Sequence, residues 1–371
     1  MAIYDELGVR RIINGNATLT RLGGSVLAPG VIEAMADAGT AFVDLVELQR
    51  AVGAEIARLT RNEACYVSCG AAAGLTVVTA ACIAGTDAGI RERLPAAEGL
   101  KNEVIVHAHT RVTYDFAIRM AGARLVQIGG ASGTPAAELE RALSPCTAAM
   151  FYFPRGTAER GELPLETAIE LCHARGVPVI VDAAAQLPPK SNLWSFTERG
   201  ADAVIFSGGK GLRGPQASGL VLGKRALVEA CALHGTPYPF LARGMKVGKE
   251  ELCGVLAALR WYLAMDEDAQ LALYEEAVQA VVDAFEGHPH ARARRIWPGE
   301  AGQPLPQAEL VLDEAGLGRS RDAVRLALLR GTPPIDLADG PEGALWINPQ
   351  TLQPGELEVV LLRLREELEP A

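Results

Sequence analysis

Four segments constrain this chain more than any other feature: EVIVH (103–107), AAMFYF (148–153), VPVIVD (177–182) and AVIFS (203–207). Each is apolar at consecutive positions rather than at every second one. A strand with one wet face alternates, so strands like these must be covered on both faces. Between them lie stretches with helical spacing, Tyr114–Ala121 and Leu165–Ala174. Strands that alternate with helices and are covered on both sides form a mostly parallel sheet with crossover helices. The same reading predicts strands at 64–68 and 124–128 and helices at 42–60 and 74–83. The fold class is therefore α/β. In such sheets ligands bind outside the carboxyl ends of the strands.

The strand–helix alternation runs from about residue 64 to 225. From about 236 the pattern becomes helical, in GKEELCGVLAALRWYLAMDE and LALYEEAVQAVVDAFEG, and a final helix is expected near 355–368. A chain of 371 residues can hold one large domain and a smaller one. The expected division is an arm, 1–40, contributing to the small domain and the active site; a large domain, 41–235; and a small α/β C-terminal domain, 236–371. The net charge of −10 argues against a nucleic-acid partner, because affinity for a phosphate backbone needs clustered Lys and Arg. The seven cysteines are odd in number and form no C-x-x-C pair, so neither a disulfide framework nor a zinc site is indicated. The opening MAIYDELGVRRI carries charges where a signal peptide needs an apolar centre, and no apolar run approaches 18 residues. A cytoplasmic protein with a small-molecule partner, bound to neither membrane nor nucleic acid, is the expectation.

FSGGKGLRGPQ (206–216) comes directly after the last of the four strands and sets Lys210 among four glycines. It fails as a P-loop, since Gly211 stands after the lysine where Ser or Thr is needed. Gly209, Gly211 and Gly214 spell G-x-G-x-x-G, but the residues after them read as a strand rather than the required helix. A Schiff-base lysine remains, with glycines giving the backbone left-handed freedom and close approach to a ligand; so does a plain turn with a solvated lysine. Two other strand ends bear on the choice. Strand 64–68 runs into Cys69-Gly70-Ala71-Ala72-Ala73-Gly74, small residues that suit either an anion at a helix N-terminus or close helix–sheet packing. Strand 177–181 ends at Asp182, a carboxylate that is costly there unless paired. A small-residue helix start, an aspartate and a lysine, in that chain order, are what pyridoxal 5'-phosphate (PLP) requires. His109, after strand 103–107, can stack on a flat ring, with His107 as its rival.

NGNATLTRLGGS (14–25), FVDLVELQ (42–49), VSCGAAAGL (67–75), VIVDAAAQLPP (179–189), FSGGKGLRGPQASG (206–219) and MKVGKEEL (245–252) together span most of the chain. On these segments the chain resembles fold-type I PLP enzymes. More narrowly, it resembles the family that holds bacterial selenocysteine synthase and D-glucosaminate-6-phosphate ammonia-lyase. The resemblance implies that Lys210 is the Schiff-base residue and Asp182 the partner of the ring nitrogen. It places Ala184 against the ring and Cys69, Gly70, Ala71 and Ser207 around the phosphate, with Gln186 and Lys249 among the cofactor-binding residues. A homodimer or a larger assembly of dimers is implied as well. The expected reaction is an amino-acid β-elimination releasing ammonia and a 2-keto acid. A racemase, epimerase or aldolase shares its early steps, and tRNA-dependent selenium transfer is opposed by the charge. The chain departs from the family where an arginine is expected to bind the substrate carboxylate. Residues 332–339, TPPIDLAD, offer Asp336 and Asp339 instead. Arg21, Arg155 and Arg213 are the remaining candidates for that role.

Overall fold

The computed structural model describes residues 3–130, 132–154, 161–299 and 301–369. Its strands, in chain order, are β1 (Ile13–Gly15), β2 (Ala64–Ser68), β3 (Glu103–His107), β4 (Arg124–Ile128), β5 (Thr147–Tyr152), β6 (Val179–Asp182), β7 (Ala203–Ser207), β8 (Gly219–Gly223), β9 (Ala291–Ile296), β10 (Gln307–Leu312), β11 (Ile335–Asp339) and β12 (Ala344–Ile347). Two compact units form. The larger holds Leu27–Ala264 with Ala301–Gln303. The smaller holds Met1–Val26, Met265–Glu300 and Pro304–Ala371.

The larger unit is built on a sheet in the order β2-β8-β7-β6-β5-β3-β4. All neighbours are parallel except β8, which runs against both β2 and β7. The consecutive apolar runs are buried on both faces as their sequence requires: Ile105, Phe151, Ile180 and Phe206 are fully enclosed. Helix Gly70–Ala84 is itself buried nearly all round, which is why it shows no polar stripe. Because β2 points the same way as β7, six strands (β2, β3, β4, β5, β6, β7) end on one edge. The chain moves outward from β3 to β4, then crosses back to β5, so the topological switch point lies between the ends of β3 and β5.

The smaller unit has a sheet in the order β1-β11-β12-β10-β9, with β1 parallel to β11 and the others antiparallel. Helices Glu267–Ala284, Arg321–Arg330 and Glu356–Leu368 cover it around Phe285, Leu310, Leu328 and Leu364. Part of the arm is thus a strand of this sheet. Residues 27–40 and 236–264 instead lie in the larger unit. Helix Lys249–Ala264 buries Leu252, Val255, Ala258 and Leu259, and Ala258 packs with Ala28 and Val31. That apolar face, not the change from strand to helix near 236, decides where the helix belongs. Among the described residues no helix is long and apolar enough to cross a membrane.

Two buried histidines make the larger unit sensitive to acid. Burial pushes His107 and His234 down to about 4. Each is neutral in the fold and takes a proton on unfolding below about pH 6.5. The stability they contribute is complete above that pH and is lost as pH falls from about 6.5 to 4. Between pH 7 and pH 5 the loss is about 2 kcal/mol per histidine. In urea unfolding at the two pH values, His234→Asn should shrink the pH-dependent loss by that amount. An unchanged loss would remove His234 from the explanation.

Candidate active site

The loop carrying Lys210 joins two antiparallel strands whose ends, Ser207 and Gly219, face each other in register. Its backbone is folded back on itself: Gly208 N–H donates to Ser218 O (2.8 Å), Gly214 N–H to Gly208 O (2.8 Å), and Arg213 N–H to Lys210 O (2.9 Å). None of Gly208, Gly209, Gly211 or Gly214 takes a left-handed φ; Arg213 does, at 55°. The glycines are there for closeness to protein, which corrects the sequence expectation of left-handed freedom. A Cβ at Gly211 would lie 2.7 Å from Leu187 O, and one at Gly209 would lie 2.6 Å from Gln216 Cα. The lysine loop is therefore pressed against the segment just after Asp182.

Asp182 ends β6 directly beside β7, opposite Ile205. Ala183 N–H donates to Ile205 O (2.9 Å), and Ala184 N–H donates to Asp182 Oδ1 (3.1 Å). Burial pushes the Asp182 carboxyl up, while the Ala184 N–H and the Lys210 charge pull it down. Lys210 and Asp182 thus feel each other's charge. The carboxylate is held where a further cation would lower its free energy.

At the end of β2, Cys69 precedes helix Gly70–Ala84 and makes no side-chain capping bond. Gly70 has φ 82°, and a Cβ on Gly219 would collide with Gly70 C (2.6 Å) and Ala71 N (2.8 Å). A Cβ on Gly74 would meet Ile205 at 2.9 Å. Gly74 thus allows close packing of the helix on the sheet, the packing reading of the small residues. Amide groups at the N-terminus of a long buried helix suit an anion. Burial pushes the Cys69 thiol up, which favours its neutral form.

His109 lies just past β3 at the switch point, and among the described residues neither of its buried ring nitrogens has a hydrogen-bond partner. The rival, His107, is committed elsewhere: its Nε2 accepts from Leu163 N–H (3.3 Å), and its ring meets Tyr152 edge-on at 5.6 Å. Gln186 is also committed, donating to Pro154 O (3.2 Å) and Ala301 O (2.9 Å). The Lys249 ammonium donates to Ala38 O and pairs with Glu250. Arg213 lies over the Trp261 ring, 5.3 Å from its centroid. Arg155 lies outside the described residues. In the smaller unit, Arg21 Nη1 pairs with Asp336 Oδ2 at 2.6 Å, and Asn16 Nδ2 donates to Asp336 Oδ1 at 3.3 Å. Asp336 is 1% exposed and Arg21 54%. Asp336 therefore anchors an arginine rather than repelling an anion, and Asp339 pairs with Arg325 and Arg321.

The profile of the L-seryl-tRNA selenium transferase family (SelA) matches residues 12–273. The chain belongs to this family. It is 36% identical to the 5'-C-glycyluridine monooxygenase-decarboxylase of a Streptomyces species, over 98% of this chain and 91% of that one. It is 31% identical to the D-glucosaminate-6-phosphate ammonia lyase of Salmonella typhimurium, over 100% of this chain and 98% of that one. A solved structure of D-glucosaminate-6-phosphate ammonia-lyase matches with a TM-score of 0.86 at 30% identity, covering 99% and 98% of the two chains. Serine palmitoyltransferase from S. paucimobilis, solved with PLP bound, shares the fold: TM-score 0.59 at 14% identity, over 96% and 86%. This SelA-family chain is an enzyme of fold type I, and its cofactor is pyridoxal 5'-phosphate. The residues present fit that group. The helix start carries only small residues, Asp182 is a half-buried carboxylate that a further cation would stabilise, and His109 offers a flat ring just past β3.

The close contact at Gly211 can be tested. The atoms closest to the missing Cβ are the Leu187 backbone carbonyl and its Cβ, which cannot swing aside, so Gly211→Ala must shift the lysine loop. Overpacking of this kind costs about 1–3 kcal/mol. Gly211→Ala should lower the unfolding free energy by that amount and reduce cofactor uptake, read from visible absorbance. Gly244→Ala, where a Cβ meets nothing within 4 Å, should change stability by less than about 0.5 kcal/mol. Equal effects at the two positions would refute the packing argument.

Proposed function

We propose that this SelA-family enzyme is a PLP-dependent lyase that removes the Cα proton of an amino acid and expels a substituent from Cβ. The released products are ammonia and a 2-keto acid. The observation that carries the proposal is the half-buried Asp182 carboxylate at the end of β6, opposite Ile205 of β7, whose following loop carries Lys210. When bound, PLP supplies an electron sink conjugated to the substrate's Cα. Lys210 Nζ holds the cofactor covalently. As a free amine, Lys210 Nζ would be the base placed to take the Cα proton. Asp182 keeps the proton on the ring nitrogen, Ala184 packs on the ring, and His109 stacks against it. Backbone N–H groups at Cys69, Gly70 and Ala71, with Ser207, hold the phosphate. Gln186 keeps the segment after Asp182 tied down, and Lys249 closes the end of helix Val31–Gly39, where Ala38 lies. Of the arginines considered for the substrate's carboxylate, Arg213 lies in the larger unit on the loop of Lys210, and Arg21 lies in the smaller unit, paired with Asp336.

A second reading comes from the 36% identical relative, named a monooxygenase-decarboxylase. An oxygen-consuming reaction would use the same residues up to proton removal, and oxygen uptake separates it from elimination. The proposal also includes a cytoplasmic homodimer. Phe42 is wholly exposed beside half-exposed Val43, and a second copy covering them would remove that apolar surface from water.

The test is a screen of amino acids and amino sugar acids on the cofactor-loaded enzyme in D₂O. It should track Cα–H exchange, ammonia, keto acid and dissolved oxygen. The expected result is exchange, with ammonia and keto acid formed in equal amounts and no oxygen consumed. Asp182→Asn should keep the cofactor and slow exchange by about 100-fold or more, because each pKa unit lost at the ring nitrogen is worth about 1.4 kcal/mol. Exchange at the wild-type rate in Asp182→Asn would remove Asp182 from its role. A screen in which no amino acid undergoes exchange would end the proposal.

A further inference from the structure

The loop that carries Lys210 has glycines where a Cβ would collide, and a side chain at its one left-handed position. Gly208, Gly209, Gly211 and Gly214 all stay out of that region, whereas Arg213 has φ 55°. Among the described residues only Arg61, Arg213 and Glu342 enter it with a side chain attached. A Cβ makes that backbone costly, and glycine adopts it freely. A residue held there at a functional loop asks what its side chain is for. The turn itself has a visible use. Arg213 N–H donates to Lys210 O (2.9 Å), and the next N–H, of Gly214, returns to Gly208 O (2.8 Å). Arg213 O accepts from Ala28 N–H (2.8 Å). Arg213 therefore closes the loop on Lys210 and ties it to the segment leading into helix Val31–Gly39.

The Arg213 guanidinium lies over the indole of Trp261, 5.3 Å from the ring centroid, within the range of cation–π attraction. Trp261 is fixed in turn. It stands in the last turn of helix Lys249–Ala264 and packs against the cluster of Ala28, Val31 and Ala258. The same helix meets the loop twice more. A Cβ on Gly214 would lie 3.0 Å from Ala258 Cβ, and a Cβ on Gly254 would lie 2.7 Å from Pro215 Cγ. Its end also accepts from Lys190 Nζ at Leu263 O (3.2 Å), so the segment after Asp182 reaches it as well. We propose that Trp261 is a positioning residue for Lys210 and acts through Arg213. The indole holds the guanidinium, the held side chain keeps residue 213 left-handed, and that turn sets the Lys210 backbone. The inference rests on the function proposed above, in which Lys210 holds the cofactor, and adds a residue that touches neither cofactor nor substrate. A glycine at 213 would allow the turn without fastening it. Fastening matters because a reacting group displaced by about 1 Å loses much of its effect.

The test reads the spectrum of the cofactor-loaded enzyme: the visible circular dichroism, which reports the geometry at the bonded lysine, and the pH midpoint of the visible band. Trp261→Leu and Arg213→Met should each weaken the dichroism and move the midpoint by about 0.5 unit or more. Trp261→Phe, which keeps an aromatic face under the guanidinium, should restore most of the wild-type signal. The double variant, Trp261→Leu with Arg213→Met, should match the single ones, because both remove one contact. Urea unfolding of each variant runs alongside; a purely structural tryptophan lowers stability and leaves the spectrum of the loaded enzyme unchanged. Wild-type spectra in the single variants, losses that add in the double variant, or a Trp261→Phe no better than Trp261→Leu overturns the inference. If Trp261→Leu does not fold, Arg213→Met and Trp261→Phe decide: a changed spectrum in the first with a retained one in the second supports the link, and any other pair overturns it. Borohydride mapping keeps the two readings apart. A pyridoxyl group on Lys210 with unmoved variant spectra counts against Trp261 alone; a pyridoxyl group on another lysine overturns the role of Lys210 and this inference together.

Discussion

The arrangement depends on one parallel strand pair, β6 and β7. Their register puts Asp182 opposite Ile205, so the carboxylate and the start of the lysine loop leave the sheet side by side. The pair is fastened at its other end by Asp202, which accepts from Val179 N–H (2.8 Å) and Lys224 Nζ (2.6 Å) and meets His173 Nε2 at 2.8 Å. A slip of one residue would turn Asp182 to the opposite face and separate it from Lys210. Asp202 is mostly buried, and its three partners are what make that charge tolerable there.

Around this pair, the site is made by closeness rather than flexibility. The bare glycines after β7 let the lysine loop pack onto the peptide at Leu187, and Gly219 lets β8 begin against the helix start at Gly70 and Ala71. Wherever a ligand or a neighbouring backbone must approach, side chains are missing. Wherever charge must persist, it is partnered: Asp182 by the Ala184 N–H and by Lys210, and Asp336 by Arg21 and Asn16.

Much of this was legible in the sequence, because consecutive Val and Ile residues can serve only strands covered on both faces. The strands ending at His107, Asp182 and Ser207 lie where that pattern put them, and strand ends are where such sheets bind ligands. Less could be read where tertiary contacts decide. Ile13–Gly15 has no alternation and becomes a strand only because β11 lies beside it. ARARRI, β9, alternates with arginine because it is an edge strand with one wet face. Nothing in LCGVLAALRWYLA says which unit its apolar face will find. The pairing of Arg21 with Asp336 spans more than 300 residues, so the aspartate looked like a misplaced charge when it is an anchor.

The central claim is that the lysine among the glycines of FSGGKGLRGPQ is the residue the cofactor is bonded to. Borohydride reduction of the yellow, cofactor-loaded enzyme, with peptide mapping of the product, tests it directly. The account predicts loss of the visible band and a pyridoxyl group on Lys210 alone. A pyridoxyl group on Lys246, Lys249 or Lys190, with Lys210 unmodified, would contradict it.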